Sequence, residues 1–329
     1  MDALELLHQY AQGERHFPEI NLMGINLERV NLKHINLAGV SLGGANLSRA
    51  FLESANLAGA FLYSANLQYA KLGKVNLSYA DLTKANLQGA FLVKADLTEA
   101  KLSGALLSGV NLRAANLSRV NLCAANLSGI NLRGADLRSA NLSWANLSRA
   151  RLSQALLKGA LLTGCNFEQA YLVHVDFQGM DLNGINFSGA KLTAAILSNT
   201  DLSASNLSQA KLILADLREA TLNGGNLQGA NLEQANLSYA MLMRTDLSAA
   251  KLHQANLSQA NLNLANLREA DLSHANLQDT YLWKANLNQA NLQGANLRGA
   301  SLRGASLEGA NLQDTNLSTT MMPDGTIHE

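Results

Sequence analysis

The chain has 329 residues, and its 25 basic residues balance its 25 acidic ones, so the formal net charge at pH 7 is zero. This balance argues against a protein that imitates the charge of duplex DNA and against a strongly basic nucleic-acid binder. Two cysteines exclude a disulfide framework, and no apolar run approaches the length of a membrane-spanning helix.

The residues after Met1 predict a short helix. Asp2 and Glu5 have the spacing of a capping box, and Gly13 is a natural helix stop. We assign residues 1–14 to an N-terminal capping helix, and this segment lacks the charged start and long apolar run of a signal peptide. Two alternative sets of side chains could pack on the next element: Leu4, Leu7 and Tyr10, or Leu6 with Tyr10.

From residue 15 to residue 322 the sequence repeats every five residues without a shift in phase. Every fifth residue from Leu22 to Leu317 is leucine, except for phenylalanine at Phe167, Phe177 and Phe187, which gives 60 consecutive centres. The small position, two residues before the centre, is alanine in 41 of the 60 repeats. The amide position, just before the centre, is Asn or Asp in 40, and two outer positions after the centre are mostly polar.

A period of five fits neither an α-helix nor a β-strand, and it predicts a solenoid. Two apolar positions in every five face inward, one large and one small, so each repeat would form one side of a coil. Coils would stack at the strand spacing of about 4.8 Å, and each would be stabilised by its neighbours. Equivalent Asn residues would form hydrogen-bonded ladders, as in the columns 26–66 and 236–316, and Asn would also tolerate unusual backbone angles at a corner.

The pattern Ala-(Asn/Asp)-Leu-x-x, as in residues 45–49 and 295–299, resembles that of the pentapeptide-repeat proteins over most of the chain. The resemblance implies an all-β fold, a right-handed quadrilateral β-helix with four repeats in each coil. Sixty repeats would then make about 15 coils, which we assign to residues 15–322. The function that fits this pattern is a non-enzymatic, rigid rod that acts as a protein–protein interaction or regulatory module.

The two ends extend the resemblance to cyanobacterial, HetL-like members of the family. The turn signal Met322-Pro323-Asp324-Gly325 ends the repeats, and residues 323–329 form a predicted C-terminal turn and tail. One alternative role is therefore regulation of heterocyst differentiation. A second alternative is the DNA-mimic class that binds gyrase, although this neutral chain lacks the negative charge and the loop insertions of that class.

No motif for catalysis, a cofactor or a metal stands out from the repeat. A filled solenoid with short turns offers no pocket in which catalytic groups could converge. His253 and His274 should touch on neighbouring coils, but two histidines without a third ligand do not make a zinc site. We therefore predict no enzyme, no cofactor and no bound metal.

Residues that are twenty positions apart share a face if a coil has twenty residues, and one such face is basic. Together with Lys33 it carries ten bases, against the four acids Glu53, Glu233, Asp271 and Asp314. Such a face would attract an anionic partner, or would only keep the rod in solution. The candidate basic face consists of Lys71, Lys74, Lys94, Arg113, Arg133, Arg151, Lys191, Lys211 and Lys251.

Another face carries exposed apolar residues on three successive coils. The candidate partner patch consists of Met241, Met243, Leu264, Tyr281 and Trp283. Side chains of these types are common where proteins bind one another, and the alternative is that the rings stack along the surface and stiffen it. We expect a protein partner rather than nucleic acid or a membrane, and a monomer or end-to-end dimer.

The two cysteines bear on the compartment. Cys165 lies at a small position and should be buried, whereas Cys123 lies at an outer position about two coils away. The two thiols are therefore not expected to form a disulfide. Unpaired cysteines and the lack of a signal peptide predict a cytoplasmic protein.

Overall fold

The computed structural model describes residues 1–329, which form two compact units, Met1–Asn166 and Phe167–Glu329. Unit 1 begins with the single α-helix of the chain, α1 (Ala3–Ala11). Nothing in the chain qualifies as a membrane-spanning helix. All other regular structure consists of single-residue β-bridges rather than longer strands.

Helix α1 covers the first repeats of unit 1 in the way that one of the two predicted sets requires. Asp2 Oδ1 accepts a hydrogen bond from Glu5 N at 2.9 Å, which confirms the N-terminal cap. Leu6 is fully buried, and Tyr10 Oη donates to the carbonyl of Lys33 at 3.0 Å. The set that contains Leu4 is wrong, because Leu4 lies on the opposite side of the helix from Leu6 and is 80% exposed.

Within each unit, parallel bridges join residues that are twenty positions apart. In unit 1 they begin with His16↔Asn36 and recur at every fifth residue, and in unit 2 they run to Ser301↔Met321. Four sides therefore make one coil, and the twenty-residue register used to sort the faces is confirmed. The assignment of residues 15–322 to one repeat domain of about 15 coils stays a prediction.

Three backbone hydrogen bonds join most sides to the same side of the next coil. Leu47 N donates to the carbonyl of Asn66 at 2.7 Å, and Arg49 N donates to that of Gln68 at 2.8 Å. Asn66 N donates back to the carbonyl of Ala45 at 2.9 Å. The amides at the centre and at the second outer position of each coil therefore depend on the coil that follows.

Each side ends in a tight turn, and the second outer position has a positive φ in every repeat from Glu19 to Thr319. In the turn that follows Leu42, Gly44 has φ +64° and Ala45 N donates to the carbonyl of Leu42 at 3.0 Å. Of these left-handed residues, 41 are not glycine. The expectation that Asn takes the unusual backbone angle is wrong, because the amide position forms the bridge and is extended.

We expect Ala249→Gly to stabilise unit 2 by about 0.5–1 kcal/mol, because Ala249 holds φ +53° and has an exposed methyl group. The neighbouring substitution Ala250→Gly should instead destabilise it by about 1 kcal/mol, because Ala250 is fully buried. Guanidinium midpoints of the two variants test the difference. A destabilisation by Ala249→Gly equal to that of Ala250→Gly would contradict it.

The side chains at the centre and the small position form the core, as predicted. Leu47 and Ala45 are fully buried, and the same holds for their equivalents along most of each unit. Unit 2 also buries three aromatic rings. Phe167 and Phe187 stack with centroids 5.2 Å apart, and Phe177 meets Phe187 edge-on at 6.1 Å.

The Asn residues have two roles, of which the sequence predicted one. Asn46 Nδ2 donates to Asn26 Oδ1 at 3.1 Å, which confirms a ladder along the stack. The same Asn46 Oδ1 accepts from Ser48 N at 3.2 Å, inside its own turn. Asp can serve in this second role, since Thr98 N donates to Asp96 Oδ1 at 3.0 Å. The turn bond therefore explains why both residue types occupy the amide position.

Side chains at the second outer position lie against the same position of the next coil. The ring of Tyr69 covers Gly89, where an added Cβ would lie 2.6 Å from the ring. In the same way, the ring of Trp144 covers Gly164. A glycine twenty residues downstream thus makes room for a large side chain.

The C-terminal end of unit 2 is less covered than its interior. The tail pairs with the last coil through Thr319 N, which donates to the carbonyl of His328 at 2.8 Å. The centres Leu307, Leu312 and Leu317 are half-buried, whereas the centres of earlier coils are fully buried. The assignment of residues 323–329 to a separate turn and tail stays a prediction.

Candidate functional site

The structure brings the five residues of the candidate partner patch together on one face of unit 2. The bridges Met241↔Asn261 and Asn261↔Tyr281 place three coils side by side. Met241 is 38% exposed, Tyr281 is 56% exposed and Trp283 is 42% exposed. Met243 and Leu264 are half-buried between them. Asn261 and Asn263 of the middle coil lie between the two outer coils, so the five residues form an apolar cluster that two amide side chains interrupt.

Two asparagines of the preceding coils compensate for the apolar residues. Tyr281 holds an amide position, so the turn amide of Trp283 lacks its usual acceptor, and it donates instead to Asn263 Oδ1 at 2.8 Å. In the same way, Met243 N donates to Asn223 Oδ1 at 2.9 Å. These two asparagines were not predicted from the sequence. Their signal is an Asn at the first outer position, twenty residues before the turn amide that it serves.

A cation rather than a second ring contacts the tryptophan of the patch. Lys284 Nζ lies 4.7 Å from the centroid of Trp283. Stacked rings do occur elsewhere, since Phe61 and Tyr63 in unit 1 stack at 6.1 Å. In the patch, the ring of Trp283 is in contact with this cation instead.

The predicted basic face is divided between the two units. Lys71 to Arg151 belong to unit 1, and Lys191, Lys211 and Lys251 belong to unit 2. In unit 2 the bridge Lys191↔Lys211 places two lysines on adjacent coils. All nine residues are exposed except Lys191, which is half-buried and whose Nζ lies 3.9 Å from the ring centroid of Tyr171. One continuous basic face over residues 71–251 stays a prediction.

Ion pairs neutralise other charges at the surface. Arg138 pairs with Asp136 at 2.6 Å, and Arg218 pairs with Asp216 at 2.7 Å. In both pairs the hydrogen bond from the guanidinium lowers the pKa of the carboxyl group. Both arginines are largely exposed, so each pair adds little to stability.

His253 and His274 touch, as predicted, with ring centroids 5.6 Å apart and at right angles. His253 Nδ1 lies 2.9 Å from Ser273 Oγ, which donates to Asp271 Oδ1 at 2.6 Å. Burial alone would raise the pKa of Asp271. Hydrogen bonds from Ser273 and from Asn291 lower this pKa by more than burial raises it, so the net shift is downward. Ser273 thus donates to an ionised carboxylate, and no group of three metal-ligating side chains forms here.

Both cysteines are free thiols, and their environments differ. Cys165 is buried and its Sγ donates to the carbonyl of Leu142 at 2.9 Å, whereas Cys123 is half-buried. Burial raises the pKa of the Cys165 thiol to about 12. At neutral pH this sulfur therefore stays protonated and unreactive.

We expect a thiol reagent at about pH 8 to modify Cys123 in the native protein and to reach Cys165 only after unfolding, because burial removes access and suppresses the thiolate. Mass spectrometry of the labelled chain would identify the site. Cys123→Ser should then show no native labelling within the same time. Labelling of Cys165 at a similar rate in the native Cys123→Ser protein would contradict the prediction.

Comparison with known families gives a clear match. The family model described as pentapeptide repeats (8 copies) matches residues 20–57, 45–78, 76–113, 115–154, 150–189, 170–209, 185–224, 215–253, 245–283 and 282–318. The chain belongs to the pentapeptide-repeat family. Proteins of this family form right-handed quadrilateral β-helices, in agreement with the four bridges in each twenty-residue coil.

Three solved structures illustrate what this pentapeptide-repeat protein is similar to. HetL, a pentapeptide repeat protein involved in heterocyst differentiation regulation from the cyanobacterium Nostoc sp. strain PCC 7120, is 30% identical over 100% of both chains, with a TM-score of 0.19. Full-length QnrB1, a plasmid-mediated fluoroquinolone resistance protein, is 20% identical over 52% of this chain and 92% of its own, with a TM-score of 0.26. Rfr23 from the cyanobacterium Cyanothece 51142 is 27% identical over 50% of this chain and 100% of its own, with a TM-score of 0.16. Comparison with curated proteins found no match.

Proposed function

We propose that this pentapeptide-repeat protein is a non-enzymatic binding module that holds a protein partner against the patch of Met241, Met243, Leu264, Tyr281 and Trp283. The exposure of Met241, Tyr281 and Trp283 on one face carries the proposal. Met241 and Tyr281 hold amide positions, where 40 of the 60 repeats have Asn or Asp. An apolar residue at this position gives up a turn hydrogen bond. Binding of a partner would explain why apolar residues are found there.

The backbone amides around the patch already have hydrogen-bond acceptors within the protein. The amides of Met243 and Trp283 donate to asparagine side chains of the preceding coils, so a partner that excludes water would not leave them unpaired. Trp, Tyr and Met contribute strongly to protein interfaces, and loss of a central aromatic residue costs about 2 kcal/mol or more of binding free energy. A rigid stack would also lose little conformational entropy on binding.

The test compares three baits in lysate of the native host, with captured proteins identified by mass spectrometry. We expect the wild type to capture a partner that Tyr281→Ser/Trp283→Ser loses. The matched control is Trp144→Ser, which removes a 67% exposed tryptophan from unit 1 and should keep the partner. Because the contact is apolar, binding should survive an increase in salt from about 0.1 to about 0.5 M.

Charge reversal at Lys191, Lys211 and Lys251 tests a second candidate, an anionic partner of the basic face. The adjacent lysines of the Lys191↔Lys211 bridge favour this candidate. A partner that is lost from the reversed variant and at high salt, but kept by Tyr281→Ser/Trp283→Ser, would replace the first proposal by this one. Capture of a differentiation regulator would support a role like that of HetL, and inhibition of gyrase would support the DNA-mimic alternative.

We also propose that the protein acts in the cytoplasm. Cys123 and Cys165 are both free, as is usual for proteins of a reducing compartment. Immunofluorescence or fractionation of the native host tests this proposal. Recovery of the chain with extracytoplasmic proteins would contradict it.

A further inference from the structure

A cleft opens at a corner of unit 1, whereas the patch used in the proposed function belongs to unit 2. Its volume is about 510 Å³, within the range of about 300–1,000 Å³ that is usual for small-molecule sites. Five side chains line this corner cleft, three cationic and two aromatic: Arg29, Arg49, Phe51, Tyr69 and Lys71. The cleft was not predicted from the sequence, because sorting by face separates residues that meet across a corner.

Because equivalent positions lie twenty residues apart, cationic and aromatic side chains alternate across this corner. Arg29, Arg49 and Tyr69 hold the second outer position of one side on three successive coils. Phe51 and Lys71, joined by a bridge, hold the amide position of the next side. One coil therefore presents a cation and then a ring across the corner, and the next coil presents a ring and then a cation.

The two rings of the corner cleft are exposed, and that of Tyr69 is held in place. Tyr69 is 51% exposed and Phe51 is 39% exposed. The ring of Tyr69 lies against Gly89, where an added Cβ would be 2.6 Å from it. Arg49 Cζ is 5.8 Å from the centroid of Tyr69, close to the outer limit of a cation–π contact. The arginine can therefore turn toward a ligand at small cost while the ring stays in place.

The charge of the corner cleft is largely uncompensated. Arg29 pairs with Glu28 at 3.4 Å, whereas Arg49 and Lys71 make no ion pair. Lys33 and Glu53, just outside the cleft, pair with each other at 3.7 Å. Two guanidinium groups and an ammonium group within one cleft suit an anion of two or more charges, and arginine binds phosphate oxygens in a bidentate manner.

We propose that the corner cleft binds a free nucleoside di- or triphosphate. The phosphates lie against Arg29, Arg49 and Lys71, and the base stacks on Tyr69 or Phe51. The only hydrogen-bonding group on the two rings is the hydroxyl of Tyr69. The site therefore accepts purines and pyrimidines with similar affinity.

Isothermal titration of the full chain with ADP tests the proposal. We expect one site with a Kd on the order of 100 µM at low salt. Arg49→Gln/Lys71→Gln should weaken the binding of ADP about tenfold or more. Tyr69→Ser should weaken the binding of ADP and leave the affinity for inorganic pyrophosphate unchanged. The matched control is Lys84→Gln, which removes a lysine that lies 5.7 Å from the ring centroid of Tyr63 on another side of unit 1.

Three outcomes would overturn the proposal. One is no saturable binding of ADP at about 5 mM, and another is equal affinity in wild type and Arg49→Gln/Lys71→Gln. The third is binding of a single-stranded decanucleotide that ADP does not displace, which would assign the cleft to nucleic acid instead. Circular dichroism of each variant shows whether it is folded, and Lys84→Gln should match the wild type in every measurement.

Discussion

Phe187→Ala is expected to destabilise unit 2 by about 3–5 kcal/mol. Phe187 is fully buried, stacks on Phe167 at 5.2 Å and meets Phe177 edge-on at 6.1 Å. Alanine would leave a cavity among rings that the coils on either side hold in place. Three backbone hydrogen bonds tie the side that contains Phe187 to the next coil, which limits collapse into the space.

Phe187→Leu is the matched control, because leucine is the usual residue at the centre of the repeat. It should cost less than about 1.5 kcal/mol, since it keeps most of the buried volume. Guanidinium unfolding followed by Trp283 fluorescence in a Trp144→Phe background reports on unit 2. A loss below about 1 kcal/mol for Phe187→Ala would show that the coils do relax. Stacked repeats can depart from two-state unfolding, so circular dichroism should be recorded beside the fluorescence.

Gly164→Ala is expected to destabilise unit 1 by about 2–3 kcal/mol, in two parts. Gly164 has φ +68°, a conformation that costs alanine about 1–2 kcal/mol. The new methyl group would also meet the ring of Trp144, which now covers the glycine. The ring is 67% exposed, so it can swing into water at a cost of about 1 kcal/mol of lost contact.

Gly44→Ala separates the two contributions. Gly44 has a similar φ of +64°, and nothing lies within 4 Å of the added Cβ, so only the backbone cost of about 1–2 kcal/mol should remain. Gly164→Ala in a Trp144→Ala background should cost the same as Gly44→Ala. The emission of Trp144, measured with Trp283 replaced by Phe, should shift to the red in Gly164→Ala. An unchanged spectrum would show that the ring has not moved and would contradict the second contribution.

The sequence predicted those parts of the fold that depend on the period. Buried Leu47 and Ala45 follow from counting apolar positions. The twenty-residue register, and with it the ladder from Asn26 to Asn46, came from the family resemblance, because the period alone gives only five. The positive φ at the second outer position escaped prediction, although glycines concentrate there. Most of the residues that adopt it are not glycine, and the turn geometry overrides their preference.

Of the candidate surfaces, too, only the part that depends on the period could be predicted from the sequence. The patch around Trp283 could be placed because its members lie on one face at multiples of the repeat. Asn263, which accepts from Trp283 N, could not be assigned without the hydrogen bonds that cross between coils. The corner cleft around Arg49 and Lys71 depends on the angle at which two sides of the coil meet, and the period of the sequence does not give this angle. At α1, two apolar sets fitted nine residues equally well, and only packing selected Leu6.

The overlap of Tyr69 on Gly89 and of Trp144 on Gly164 gives the surface of unit 1 a direction. At these two sites the ring covers the coil that follows, so the two ends of the face differ for anything lying along it. A peptide that binds lengthwise would have the rings inclined toward its C-terminus in one orientation and toward its N-terminus in the other. Its sequence read backwards should therefore bind poorly, even with every side chain retained.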